Sequence, residues 1–99
     1  MRFSIVFTEA EKDVALAVDW YSEQKAGLGK LFLHALNETI EKIIIYPRAY
    51  KKIYKQVRQA GLKKFPYVVL YTIDGNLITV YCIFHTSQNP RKKIKRLRK

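Results

Sequence analysis

The side chains best suited to chemistry in this chain are His85, Arg58 and Lys64, an imidazole and two cations. Together they match what metal-free cleavage of RNA requires. A ribose 2′-hydroxyl attacks the adjacent phosphate, so a base, an acid for the leaving oxygen and cations around the transition state are needed. His85 suits the base or acid, because its ring titrates near neutrality and such proton transfer is worth about a hundred- to ten-thousand-fold in rate. Arg58 is the second candidate catalytic residue, holding the phosphate with Lys64 while its charge develops. Tyr67, Tyr71 or Tyr81 would stack an unpaired base. Lys63 and the tail residues Arg91, Lys92 and Lys93 extend the set of candidate nucleic-acid or target contacts. The bland alternatives are a hydrogen-bonded corner histidine, solvated cations and tyrosines in the core.

These residues depend on a pair of strands for their placement. Residues 65–73 and 77–85 are rich in Val, Ile, Tyr, Phe and Thr, and Asp74-Gly75 tolerates the backbone angles of a tight hairpin. A two-residue turn there sets Ile73 opposite Asn76, Tyr71 opposite Ile78, Val69 opposite Val80, Tyr67 opposite Cys82 and Lys64 opposite His85. Upstream, Ile53–Arg58 is expected as a further antiparallel strand. With a three-residue loop at Gln59–Gly61, Gln56, Arg58, Lys64 and His85 share one face; with a two-residue loop Arg58 leaves it, since a slip of one residue reverses every side chain.

The helices are marked earlier in the chain. Arg2–Phe7 reads as a first strand, and Thr8 to Glu11 as a capping box opening a helix that runs to about Gln24. Gly27-Leu28-Gly29 breaks it. A second helix carries Phe32, Leu36, Ile40, Ile43 and Ile44 on one face until Pro47 stops it. The order β-α-α-β-β-β makes an α+β domain, a helical hairpin packed on one face of a mostly antiparallel four-stranded sheet. Trp20 and Tyr21 read as packing residues, His34 carries no role, and Asp13 and Glu23 form no paired-carboxylate site. Residues 1–90 form the single domain and 91–99 a tail with seven basic residues in nine. The tail is expected to be an arm that orders on a polyanion rather than a helix, because its like charges repel.

With 99 residues and 48% hydrophobic content, one core is all that this length supports. A formal net charge of +11 suits a nucleic acid, a ribosome or an acidic protein. A single cysteine, Cys82, excludes an internal disulfide and points to a reducing cytoplasm. One Cys and two His offer no zinc spacing, and no metal or cofactor is expected. The sequence shows no signal peptide and no membrane-spanning run.

Several ordered motifs resemble one family. They are the Ala-rich first helix ending Asp19-Trp20-Tyr21 with Gln24, the Gly27-Leu28-Gly29 break, Tyr46-Pro47, Val57-Arg58, Lys64-Phe65-Pro66-Tyr67 with Leu70-Tyr71, and His85-Thr86-Ser87-Gln88-Asn89-Pro90. In order and spacing they resemble the RelE/ParE superfamily of toxins from bacterial type II toxin–antitoxin operons. The resemblance implies a small cytoplasmic toxin that arrests growth and is silenced by an acidic, partly disordered antitoxin. RelE-like members cleave messenger RNA on the ribosome without metal, whereas ParE-like members poison DNA gyrase. The Trp-Tyr, Gln and Gly-Leu-Gly pattern is closer to the ParE-like end. The chain departs from the family in carrying Gln88 and Asn89 before Pro90 and no Trp after it. A relative that only binds antitoxin or nucleic acid is the third alternative, and the oligomeric state is left open.

Overall fold

The computed structural model describes residues 3–88 together with Lys92, Lys95 and Arg96. Strand β1 (Ser4–Phe7) leads into helices α1 (Ala10–Gln24) and α2 (Leu28–Ile45), then a single 3₁₀ turn at Pro47–Ala49. Strands β2 (Lys52–Tyr54), β3 (Val57–Gly61), β4 (Tyr67–Asp74) and β5 (Leu77–His85) follow. The sheet has five strands in the order β1-β5-β4-β3-β2. β1 runs parallel to β5, and the other pairs are antiparallel.

Two helix boundaries follow from local chemistry. Pro47 lacks an amide donor, so α2 ends at Ile45 as expected. The start of α1 differs from the expected capping box. Thr8 continues the β1 ladder, its amide and its hydroxyl both donating to the Val80 carbonyl at 3.1 and 3.2 Å, so Glu9 stands at the helix N-cap with no side-chain capping bond.

The fifth strand arises where one was expected. Ile53–Arg58 is broken by a tight turn at Lys55-Gln56, with Lys55 at φ 48° in the left-handed region, so β2 and β3 fold back on each other. Gly61 then stays in the ladder opposite Val68, and the connection to β4 spans residues 62–66 instead of Gln59–Gly61. Phe65 explains the displacement. Its ring lies against Tyr21 and Phe32 at centroid distances of 5.0 and 5.4 Å, and that aromatic burial fixes the loop around it.

The β4–β5 hairpin forms, but its turn is Gly75-Asn76. Gly75 has φ 60° and Asn76 does not have positive φ, the pattern of a type II′ turn with glycine first. Asp74 therefore faces Leu77 and Tyr71 faces Val80. A bulge follows at Tyr81, because Leu70 faces Cys82 and Tyr67 faces His85. The pairs expected from the earlier turn, Lys64 with His85 among them, do not occur.

The bulge divides β5 by face. Ile78 and Val80 before it, and Ile83 after it, join α1 and α2 in the main core with Phe32, Ile43, Val69 and Tyr71. Cys82 and Phe84 face the other way, into a second buried cluster with Val57, Val68 and Leu70. Both faces of the central strands are thus covered, and each fully buried aliphatic side chain contributes about 1.5–3 kcal/mol. Of the tail, Lys92, Lys95 and Arg96 are helical rather than extended. No helix among the described residues is long and apolar enough to cross a membrane.

Candidate functional site

His85 ends β5 at a corner of the sheet and is half-buried. Its Nδ1 accepts the Ser87 amide at 3.0 Å and lies 2.7 Å from the Ser87 Oγ. A backbone N–H can only donate, so the neutral ring carries its proton on Nε2. Tyr67, opposite on β4, meets the ring edge-on at a centroid distance of 4.9 Å. Burial raises the Tyr67 phenol above its ordinary range, helped by the neighbouring Tyr21 hydroxyl and by Asp13.

A groove of about 250 Å³ opens beside this corner, between α1 and the end of β5. Asp13, Leu16, Ala17 and Trp20 line it from the helix, Tyr67, Ile83, His85 and Gln88 from the sheet side, and Arg96 from the tail. Leu16 is 71% exposed and Trp20 55% exposed, one helical turn apart on its rim. Trp20 therefore does not pack as expected, although the adjacent Tyr21 does, stacking on Phe32 at 5.5 Å.

Asp13 ties this corner together. β1 pairs with β5 only as far as Val80, and beyond that point the Asp13 carboxylate takes over, accepting the Ile83 amide at 3.0 Å. Arg96 then grips the same carboxylate through both terminal nitrogens, at 3.1 and 3.0 Å. Burial works against the Arg96 charge, but the hydrogen bond to Asp13 and its field outweigh this and raise the pKa. Arg96 also borders a second hollow of about 290 Å³ on the other side of the β5 edge, with Thr8, Thr72, Tyr81 and Cys82. In the sequence Asp13 is weighed only as half of a carboxylate pair, not as the partner of β5 and the tail. The available signal was a carboxylate three residues after Ala10 and four before Ala17, inside the helix stripe that is buried.

The face expected to join Gln56, Arg58, Lys64 and His85 does not assemble. Arg58 faces Tyr71 across β3 and β4, and its Nη1 donates to the carbonyls of Tyr50 at 2.6 Å and Arg48 at 3.2 Å. Tyr71, expected to contact nucleic acid, has no exposed surface. Its hydroxyl donates to the Pro47 carbonyl at 2.6 Å, and burial pushes its pKa up to about 12 against the opposing field of Arg58. Two neighbouring side chains thus brace residues 47–50 from below. Lys63 and Lys64 lie exposed in the 62–66 loop, Lys64 with φ 69°. Tyr81 is 39% exposed and faces away from the groove, beside Cys82. Lys92 is exposed, and Arg91 and Lys93 lie outside the described residues. His34 pairs with Glu38 of its own helix, at 3.2 Å.

Among the described residues no group of three or more His, Cys, Asp or Glu side chains converges as metal ligands would. No curated protein matches the chain significantly. A solved structure of a chromosomal ParDE TA system from P. aeruginosa has the same fold, with a TM-score of 0.63 and 17% identity over 86% of this chain and 97% of that one. A family model for the ParE toxin of the type II toxin–antitoxin system parDE matches residues 5–90, which takes in both helices, the strands apart from Ser4, and the His85 corner. This chain belongs to the ParE toxin family of type II toxin–antitoxin systems.

Proposed function

We propose that this protein arrests growth by binding a target, in the ParE-like manner of gyrase inhibition, and that an acidic antitoxin silences it. The observation that carries this reading is that the strand register does not bring Arg58, Lys64 and His85 onto one face. Arg58 spends its guanidinium on two backbone carbonyls, Lys64 sits in the 62–66 loop instead of opposite His85, and His85 faces a tyrosine. In the groove beside His85, the cation among the described residues is Arg96, and Asp13 neutralises it. A phosphate arriving there meets little of the positive charge that metal-free cleavage demands. Exposed Leu16 and Trp20 on the rim, by contrast, suit contact with another protein.

The competing reading is ribosome-dependent cleavage of messenger RNA, and it draws on Tyr67, His85 and Arg96 lining one groove. Induction of the gene, followed by mapping of gyrase-linked DNA breaks and of new RNA 5′ ends in the same cells, separates the two. Target binding predicts breaks without RNA ends, and a His85→Ala variant that still arrests growth. New ends that vanish in a folded His85→Ala protein would overturn it. Co-expression of an acidic neighbouring gene should restore growth.

A further inference from the structure

The eight acidic residues are distributed very unevenly. Glu9, Glu11, Asp13, Asp19, Glu23, Glu38 and Glu41 lie on or at the two helices, and Asp74 ends β4. Residues 42–73 hold eight basic residues and no acidic one. The fold carries this acid-free stretch from the 3₁₀ turn, held on the Tyr71 hydroxyl of β4, out to the edge strand β2 and the Lys55-Gln56 turn. Basic and aromatic side chains alternate along it. Lys51, Lys52 and Lys55 are exposed, Tyr46 is 68% exposed, and Tyr54 is half-buried with the Lys55 ammonium 5.4 Å from its ring centre, whereas the Arg48 guanidinium lies 5.8 Å from the Phe3 ring centre, ahead of β1.

This edge is held in shape. The Pro47 carbonyl is bound by the Tyr71 hydroxyl, those of Arg48 and Tyr50 by Arg58, and that of Lys51 by the Gln59 amide at 3.0 Å. Four carbonyls within five residues are thus fixed from the sheet, and three of those bonds come from the buried or half-buried side chains Tyr71 and Arg58. Lys55 adds a local cost, since a non-glycine residue at φ 48° is disfavoured by about 1–2 kcal/mol. A cation occupies the turn where Gly or Asn would sit more easily.

We propose that this edge is a contact for single-stranded nucleic acid, with Lys51, Lys52 and Lys55 following the phosphates and the rings of Tyr46 and Tyr54 receiving unpaired bases. Cations alone would serve a duplex equally well, but exposed aromatic faces serve only bases free to leave a stack. An acidic peptide is the poorer fit. β2 has three residues and an irregular register with β3, so it offers a short template for strand addition, and its lysines guard that edge. The surface is distinct from the α1 groove, because β4 and β3 stand between β5 and β2. An occupant of the groove leaves it uncovered, and this inference does not rest on the identity of the toxin's target.

Anisotropy titrations of the full chain test it, using roughly 12-nucleotide oligo(U), oligo(dT) and duplex DNA over a range of salt. Lys51→Gln/Lys52→Gln should weaken single-strand binding about tenfold and reduce the log–log salt slope by about 1.4, as expected for two lost phosphate contacts. The charge-matched pair Lys12→Gln/Lys30→Gln, on the helices, should change it less than about threefold by the same counting. Tyr46→Ala should weaken single strands about fivefold or more and leave duplex unchanged. Preference for oligo(U) or for oligo(dT) identifies RNA or DNA as the source and supports the proposal either way. Equal losses from the two lysine pairs, an unaffected Tyr46→Ala, or competition by poly-glutamate as strong as by oligonucleotide would each overturn it. Melting curves on every variant keep unfolding apart from lost contact.

Discussion

At the residue scale, Arg58 and Tyr71 show how a side chain with the right chemistry can be committed elsewhere. Both have the composition of a nucleic-acid contact, and both reach backbone carbonyls of residues 47–50. Tyr71→Phe keeps the ring and strands a buried carbonyl, so it should cost about 1–3 kcal/mol in urea unfolding. It should also change the alkaline limb. The folded pKa of about 12 exceeds the ordinary 10.0, so the fold favours the neutral phenol. That contribution is complete below pH 10 and is lost as pH rises through about 12, at no more than about 1.4 kcal/mol per unit. The phenylalanine variant should lack this component when unfolding is followed from pH 9 to 12. Residue types could be read from the sequence, but their targets could not, because a carbonyl acceptor belongs to every residue and leaves no mark in the sequence.

At the element scale, helices and breaks were the most legible parts. Apolar spacing and Pro47 located α1 and α2 closely, since both signals are local. Gly27-Leu28-Gly29 also read correctly as a break, but the role of Gly29 is tertiary. A Cβ there would run into the Ser22 Oγ and lie 2.9 Å from the Val18 carbonyl, so its absence lets the helices approach. Gly29→Ala should destabilise by about 1–3 kcal/mol, and Ser22→Ala should recover only part of this because the Val18 carbonyl remains. Strand register was not legible. β4 and β5 are buried on both faces, so the alternation that normally fixes phase is missing from residues 68–71 and 82–84. The stretch of β5 beyond its pairing with β1 gives a further expectation. Asp13→Ala should speed hydrogen exchange at Ile83 and cost about 1–3 kcal/mol, whereas Asp13→Asn keeps the acceptor and loses mainly the pairing with Arg96.

At the scale of the whole molecule, the fold class was readable because motif order and helix spacing both led to a helical hairpin on a sheet. The candidate site was not, because it depended on two registers that each moved by a residue or more. Its replacement is a groove assembled from α1, β5 and the tail, distant parts of the chain that no local pattern links. Growth arrest that survives His85→Ala in a folded protein is the outcome that fits a binding toxin, read as viable counts after induction. The bulge at Tyr81 carries a consequence for ancestry. Before it the even-numbered residues of β5 face the helices, and after it the odd-numbered ones do. A relative lacking that one residue would keep the same apolar letters and its histidine on the same faces, each one position earlier in the chain. Any alignment that crosses position 81 without a gap would then compare inward residues with outward ones, and identity counted there would understate kinship.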